Sequence, residues 1–458
     1  MCKILAEDGV RAYDATLFKA SPLSGRLAIV HGAPDLARIV MKFGGTSVAN
    51  LERIRHVASL VAEEAKGGNE VAVVVSAMSG ETNRLVALVD ALDADSDKGA
   101  AIEDEYDSIV ASGEQVTSGL LAIALRRRGL KARSWLGWQI PLKTDMAHSK
   151  ARIAEIESSA IGPSMADGNI AVVAGFQGIS EDGRISTLGR GGSDTSAVAI
   201  AVALKADRCD IYTDVDGIYT TDPRIAKDAR RLNRIAFEEM LELASLGAKV
   251  LQTRSVELAM NNNLPIRVLT SMADVGDVNP GTLVCHEDET MEERVVSGVA
   301  YSRDEAQITL LRLKDAPGMV AKVCRAMSQA NVIVDMIVQG ISRSDNSANL
   351  TFTVGKRDLD KALVALDAVK SDIGFEGIKS DSDVTKVSVV GIGMRSHTGV
   401  AQTMFEALAE RNINVEVIAT SEIKISVLID SEYTELAVRA LHSAFELHTT
   451  PAPKVSAP

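Results

Sequence analysis

The stretch Arg38-Ile39-Val40-Met41-Lys42-Phe43-Gly44-Gly45-Thr46-Ser47-Val48 decides the fold class. Its first half is a short apolar run closed by a glycine pair, which reads as a buried strand and a turn. Val48, Leu51, Ile54, Val57 and Val61 then recur at helical spacing, so a helix follows the turn. The alternation continues downstream. Residues 71–76 read as a strand and 81–92 as a helix. Residues 103–129 read as a helix in two pieces around Ser112-Gly113-Glu114. A strand is expected at 170–176, a glycine loop at 186–194, a helix at 195–206 and a strand at 209–215. Strands alternating with helices imply βαβ crossovers, hence an α/β fold with a mainly parallel sheet between helices.

Composition bounds the rest. A chain of 458 residues is long enough for about three domains. The net charge of -13 disfavours a general nucleic-acid or membrane-surface binder, so any bound anion must meet a local cluster of cations and backbone N–H groups. Cys2, Cys209, Cys285 and Cys324 are scattered without metal-ligand spacing. They read as reduced thiols, and a cytoplasmic location is expected. Aromatic residues make up 3% of the chain, so the cores must be aliphatic. Residues 1–36 carry Glu7, Asp8 and Asp14 without a long apolar run and are expected to be an N-terminal extension rather than a targeting segment.

Beyond residue 300 the sequence repeats at an offset of 81. Pro317-Gly318, a helical pattern and Asn331-Val-Ile-Val334 recur as Thr398-Gly399, a helical pattern and Asn412-Ile-Asn-Val415. The glycine-to-asparagine spacing is thirteen positions in both copies. Alternating strands close each copy, at 350–354 and 425–429, which makes a duplicated βαββ module. The expected domains are an extension at 1–36, a catalytic domain at 37–265, a connector at 266–300, and modules at 301–380 and 381–450.

Three glycine-containing turns precede helices, and helix N-termini attract anions. Lys42 stands before Gly44-Gly45, where glycines admit phosphate oxygens and a lysine can neutralise a transferring phosphoryl group. There is neither a GxxxxGK[ST] loop nor an HRD/DFG set, which excludes P-loop and protein-kinase readings. In the loop 189–194, Arg190 reads equally as a carboxylate fork or an exposed arginine of a glycine turn. Glu114 reads as a solvated helix residue or as a partner for a substrate ammonium. Thr213-Asp214-Val-Asp216-Gly-Ile-Tyr219-Thr-Thr-Asp222-Pro-Arg224 reads as a turn or as a nucleotide pocket, with Tyr219 on the base or ribose and Arg224 on phosphate. Asp194, Asp214, Asp216 and Asp222 are candidate acceptors for water bound to Mg2+.

The set 42–48, 187–194 and 212–224, in this order, strongly resembles bacterial aspartate kinases over about residues 38–445. The resemblance implies the amino-acid kinase fold followed by two ACT domains, and it is specific because three motifs coincide. It implies that Lys42, Phe43, Gly44, Gly45, Thr213, Asp214, Tyr219, Arg224 and Lys249 serve ATP. It implies Ser76, Thr82, Glu114, Arg190, Ser193 and Asp194 for L-aspartate, with Lys42, Arg190 and Lys249 catalytic. Many members have His-Pro where this chain has Gln252-Thr253. Segments 394–399 and 420–426 look like the subclass inhibited by lysine plus threonine. That likeness implies Asp315, Gln339 and Ser342 for threonine, and Ser421 and Glu422 for lysine.

The implied reaction is ATP plus L-aspartate to ADP and 4-phospho-L-aspartate, with Mg2+, as the first step toward lysine, threonine and methionine. A homo-oligomer or an alpha/beta assembly through the ACT modules is implied as well. Rival readings are a kinase of glutamate, carbamate or a nucleoside monophosphate, and a catalytically inert amino-acid sensor using only its repeats. The tandem repeat together with Arg190 and Glu114 argues against the first, and Lys42, Arg190 and Lys249 against the second.

Overall fold

The computed structural model describes residues 37–93, 102–140, 142–157, 159–189, 191–246, 250–277, 279–287, 295–342 and 346–449. The expected strand is β1 (Arg38–Phe43), near the middle of an eight-stranded sheet. Next in the chain are α1 (Leu51–Lys66), β2 (Glu70–Val75), α2 (Glu81–Asp93), α3 (Glu103–Val110), α4 (Ser112–Arg127) and β3 (Ala132–Trp135). They are followed by β4 (Leu142–Thr144), β5 (Ile153–Ile156), α5 (Ile161–Ala166), β6 (Ile170–Ala174), β7 (Gln177–Ile179) and β8 (Ile185–Thr187). The N-terminal half ends with α6 (Gly192–Ala203), β9 (Arg208–Thr213), β10 (Arg234–Ala236), α7 (Phe237–Ser245), α8 (Thr253–Asn261), β11 (Ile266–Thr270) and β12 (Thr282–Cys285).

The large sheet runs β10-β12-β11-β9-β1-β2-β6-β3 and is parallel except between β11 and β12. A second sheet, β5-β4-β7-β8, stands apart from it. Alternation along β1 divides two cores. Ile39, Met41 and Phe43 pack with Ile54 and Val57 of α1 and Leu121 and Leu125 of α4. Val40 packs on the opposite face with Val198 and Ile200 of α6 and Val256 of α8. Each such aliphatic side chain contributes about 1.5–3 kcal/mol when fully buried. Lys42 shares the face of Val40, so its side chain leaves the sheet toward α6. The run Glu103–Arg127 is long and apolar enough to cross a membrane by length and composition, and it is half buried here. Its Leu121, Ala122 and Leu125 belong to the core against the sheet.

Segment 266–300, expected as a connector, instead supplies β11 and β12 to the large sheet. Five residues of β11 register with β9, so sheet pairing extends the catalytic half beyond residue 265.

The C-terminal half comprises β13 (Gly298–Lys314), α9 (Met319–Gln329), β14 (Val334–Ser342), β15 (Ser347–Val354), α10 (Leu359–Ile373) and β16 (Gly377–Val390). It continues with α11 (Val400–Ala409), β17 (Val417–Thr420), β18 (Lys424–Asp430) and α12 (Thr434–Ala444). Its sheet order is β14-β15-β13-β16-β18-β17. The repeat has matched caps: Gly318 and Gly399 take φ of 91° and 95° before α9 and α11. Asn331 and Asn412 take φ of 51° and 55° just after them, where asparagine tolerates the left-handed turn that stops a helix. The strands after these asparagines start at Val334 and Val417.

The boundary expected between 380 and 381 falls inside β16, and the modules exchange strand halves. Gly298 to Ser302 of β13 pair with Val390 to Lys386 of β16, while Gln307 to Leu311 pair with Asp381 to Gly377. Accordingly Val296 and Val299 pack with Val387, Met404 and Val438 of the second module. Ile308, Leu310 and Leu313 pack with Met327 and Leu366 of the first.

Candidate functional site

The parallel strands β1, β2, β6, β9 and β11 all end at one edge of the sheet. Backbone bonds carry their pairing slightly past the strands, with Ser76 N–H donating to Phe43 O at 3.0 Å, Gly175 N–H to Val75 O at 3.0 Å and Ser271 N–H to Thr213 O at 2.8 Å. From β1 the chain first builds β2, β6 and β3 on one side, then crosses to β9 and β11 on the other. Strand order therefore reverses between β1 and β9, and ligands of open α/β sheets bind at the carboxyl ends of strands at such a point.

Lys42 and Phe43 end β1 there, followed by Gly44 and Gly45. The Lys42 Nζ lies 2.5 Å from the Asp194 carboxylate in the first turn of α6, and both side chains are nearly buried. A Cβ on Gly44 would come within 3.3 Å of that ammonium, so the lysine folds over the turn. Phe43 stacks on Tyr212 with ring centres 4.6 Å apart, which locks β1 against β9. Ser47 Oγ donates to Ser271 Oγ at 2.7 Å, and Arg53 donates to Ser271 O at 2.5 Å. These bonds fix the turn to the end of β11.

Glu114 stands in the first turn of α4 and is 3% exposed. Its Oε1 accepts the Ala77 N–H at 3.0 Å, one residue past Ser76, while Oε2 is buried with no hydrogen-bond partner. Burial pushes its pKa from 4.5 up to about 7, against the lowering effect of the Ala77 N–H. Gly113 permits this approach, since a Cβ there would sit 2.8 Å from the Ala77 Cβ. Ser76 and Thr82 are half-buried and flank the same β2–α2 turn.

Ser193 and Asp194 are buried at the start of α6. A Cβ on Gly175, just past β6, would meet Ser193 Oγ at 3.1 Å. Gly191 precedes the helix at φ 75°, and a Cβ there would lie 1.9 Å from Gln252 Cγ. The structure thus brings Lys42, Gly44, Gly45, Asp194 and Ser193 to one strand edge, with Ser76 and Glu114 beside the neighbouring turn. Arg190 and Lys249 lie outside the described residues.

On the β9 side, Thr213 Oγ1 donates to Asp214 at 3.1 Å, and Asp214 is exposed. Tyr219 donates to Asp216 at 2.8 Å, and Arg231 holds the same carboxylate at 3.3 Å. Arg224, expected on phosphate, pairs with Asp222 at 2.7 Å with its side chain 87% exposed. Tyr301 of β13 donates to Asp222 at 3.3 Å, so this pair faces the C-terminal sheet. Of the four acids considered for Mg2+-bound water, Asp216 and Asp222 are engaged in this way. Asp194 and Asp214 at the strand edge retain carboxylate oxygens that suit such a role.

Asp107 is a buried brace near the site that the sequence reading did not single out. Fully buried in α3, it accepts from Thr187 N–H at 2.9 Å, Thr187 Oγ1 at 2.5 Å and Ser149 N–H at 2.9 Å, and meets His148 Nδ1 at 2.9 Å. It ties α3 and the 148–149 turn to β8, which leads into the glycine loop. It is one of four acids within Glu103-Asp104-Glu105-Tyr106-Asp107, and nothing in the local sequence sets it apart from the other three.

In the regulatory half, the Asp315 N–H donates to Asn346 O at 3.2 Å, and Gln339 and Ser342 lie along the edge strand β14. Ser421 and Glu422 line a cavity of about 620 Å³ together with Met394, Arg395, His397 and Thr420.

The sequence profile of the amino acid kinase family matches residues 37–270, and that of the ACT domain matches 312–369 and 387–445. The chain is 52% identical over 413 residues to an aspartate kinase of Stutzerimonas stutzeri, covering 90% of this chain and 98% of that one. It is 46% identical to an aspartokinase of Mycolicibacterium smegmatis over 416 residues, 90% of this chain and 97% of the relative. The structure superposes on Escherichia coli aspartokinase III in complex with aspartate and ADP (R-state) with a TM-score of 0.73 at 28% identity, covering 89% and 99% of the two chains. The same enzyme in complex with lysine and aspartate (T-state) gives a TM-score of 0.68 at the same identity and coverage.

Proposed function

The chain belongs to the aspartate kinase family and is an ATP-using kinase, and from that premise we propose how its own residues perform and regulate the reaction. Phosphoryl transfer goes from ATP to the side-chain carboxylate of L-aspartate, giving ADP and 4-phospho-L-aspartate. The observation that carries this reading is the pairing of two opposite features at one sheet edge. A nearly buried Lys42 has only a carboxylate to answer it, and a buried Glu114 has an oxygen with no partner.

The γ-phosphate takes the Lys42 ammonium from Asp194 and rests on the Gly44-Gly45 turn. Lys42 neutralises charge as the phosphoryl group moves, a contribution that rises in a water-poor site. The ammonium of aspartate meets Glu114 Oε2, and Ser76 and Thr82 contact the substrate from the adjoining turn. Arg190 and Ser193 orient its carboxylates. Thr213, Asp214 and Tyr219 form the nucleotide side with Lys249, and Arg224 joins them only by leaving Asp222. Mg2+ would be held by the phosphates, with Asp194 and Asp214 accepting from its waters; when bound it offsets phosphate charge. The attacking carboxylate of free aspartate ionises near pH ~3.9, so no general base is required. The remaining work is positioning.

Feedback by lysine and threonine follows the same premise. Threonine sits at Asp315, Gln339 and Ser342, and lysine in the cavity beside Ser421 and Glu422. The complex of the E. coli relative with lysine supports the effector class. The exposed Ile337, Val338 and Ile341 of edge strand β14 support assembly through the regulatory sheet, as a homo-oligomer or with a separate regulatory subunit. The described cysteines are free, in keeping with a cytoplasmic enzyme opening the route to lysine, threonine and methionine.

A coupled assay for ADP release, with aspartate, glutamate and other acceptors, tests the reaction. ADP release dependent on aspartate is expected, and release driven equally by other acceptors would overturn the substrate. Lysine and threonine titrations test feedback. Gln339→Ala is expected to relieve threonine inhibition while uninhibited turnover stays near the parent value. Full inhibition of that variant would move the effector away from the first module.

A further inference from the structure

Where the loop after β9 meets the regulatory sheet, three metal-ligating side chains converge. His442 on α12, His448 beyond it and Asp228 of the 220–231 segment bring one ligand atom each within 4.8 Å of one another. His442 is 1% exposed, yet its Nδ1 has no hydrogen-bond partner. Its other nitrogen, Nε2, is 3.0 Å from Thr220 Oγ1. The Asp228 carboxylate is 3.6 Å from Nδ1, beyond hydrogen-bonding distance. Asp228 and His448 are exposed.

We propose that Asp228, His442 and His448 form a binding site for a first-row divalent transition metal such as Zn2+, clasping the catalytic half to the second regulatory module. The donor set is two imidazoles and one carboxylate, which suits zinc and its neighbours, whereas Mg2+ prefers oxygen ligands throughout. Metal-ligating histidines characteristically donate their second ring N–H to a fixed acceptor, and Thr220 Oγ1 stands in that place. With Nε2–H directed at Thr220, the lone pair of the buried Nδ1 faces the other two ligands.

Ligand atoms around tetrahedral zinc stand about 3.3 Å apart, given Zn–N bonds near 2.0 Å. The two exposed side chains can close the remaining gap by changing rotamer, and solvent supplies the fourth ligand. Thr220 also binds the regulatory sheet through its backbone, accepting from Val299 N–H at 2.8 Å. The metal would therefore brace an existing joint from its open side. It has no part in phosphoryl transfer.

The test uses the full chain, stripped with a chelator, kept reduced and titrated with Zn2+ by calorimetry and with Co2+ by visible absorption. The expected result is one saturable site per chain, with a Co2+ spectrum free of sulfur charge-transfer bands, and a rise in Tm on loading. His448→Ala and Asp228→Asn, both at exposed positions, should each weaken binding at least about tenfold and abolish the Tm rise. Thr220→Val should weaken it as well by removing the acceptor for Nε2–H. Absence of saturable binding, affinity unaltered in both exposed variants, or a thiolate spectrum pointing to Cys285 or Cys324 would each overturn the site.

Discussion

Glu114 concentrates the residue-scale physics. In the ligand-free protein its carboxyl group is desolvated and ionises at about 7 instead of 4.5. Because the folded-state value is raised, the folded state binds this proton more tightly than the unfolded chain, so stability is lost as pH climbs from 4.5 through 7. Glu114→Gln keeps an acceptor for the Ala77 N–H and removes the charge. The variant should exceed the parent in stability by on the order of 2–3 kcal/mol at pH 8, with the gap closing toward pH 5. Denaturant titrations at both pH values read this directly. The same glutamate must be ionised to receive an ammonium group. Aspartate affinity should then fall up to about tenfold per pH unit below 7 in the parent, and become weak and flat with pH in the variant. A steep dependence persisting in Glu114→Gln would assign the titration to another group. Lys42 is a different case. Its side chain is 12% exposed and paired with Asp194. Lys42→Ala should lower kcat by at least about a hundredfold, as expected for a lost transition-state charge contact, and also destabilise the fold by leaving Asp194 unpaired. Near-normal turnover would remove Lys42 from the mechanism.

At the scale of elements, the site is a set of strand ends and helix starts whose positions depend on their connections. Helix α6 offers Ser193 and Asp194 only if the loop before it holds its shape. That loop has Gly191 in left-handed backbone against Gln252, and β8 before it is held by Asp107. Asp107→Ala would orphan the buried Thr187 N–H and the half-buried Ser149 N–H, at a cost of about 2–4 kcal/mol. The expected outcome is a lower denaturation midpoint together with a fall in kcat/KM for aspartate larger than any change in the KM for ATP. Equal loss on both substrates would mean that Asp107 supports the whole domain and not this loop. The glycine turns themselves could be read in the sequence, because left-handed backbone and close approach are properties of the residue concerned. The carboxylate that braces them could not, since its partners lie about 40 and 80 positions away.

For the whole molecule, the joint between the two halves carries specific polar contacts beside its apolar ones. Buried Glu239 of α7 accepts from Ser297 Oγ at 2.6 Å and from Ile392 N–H at 3.0 Å. Lys424, at the start of β18, meets Glu242 of α7 at 2.7 Å. Helix α7 shortly precedes Lys249 in the sequence, so the nucleotide role proposed for Lys249 predicts a short covalent route from β18. Lys424→Ala should leave uninhibited turnover near the parent value and shift half-inhibition by lysine plus threonine by less than about thirtyfold, as couplings along such contacts amount to 0.5–2 kcal/mol. Rate titrations with both effectors measure the shift. Identical inhibition curves would show that the coupling bypasses α7.

The sequence by itself determined the alternation of strands and helices, the glycine turns at 44–45 and 189–192, and the duplicated module with its paired glycine and asparagine caps. These are local: apolar periodicity and permitted backbone angles depend on residues a few positions apart. The tertiary structure decided what lies far apart in the chain. It set Lys42 against Asp194 and buried Glu114 behind Ala77. It kept Arg224 on Asp222, drew 266–285 into the catalytic sheet, and had β13 and β16 each serve both regulatory modules. No periodicity announces these arrangements, because sheet pairing and burial choose among strands by total packing, and a charged side chain takes whatever partner that packing delivers.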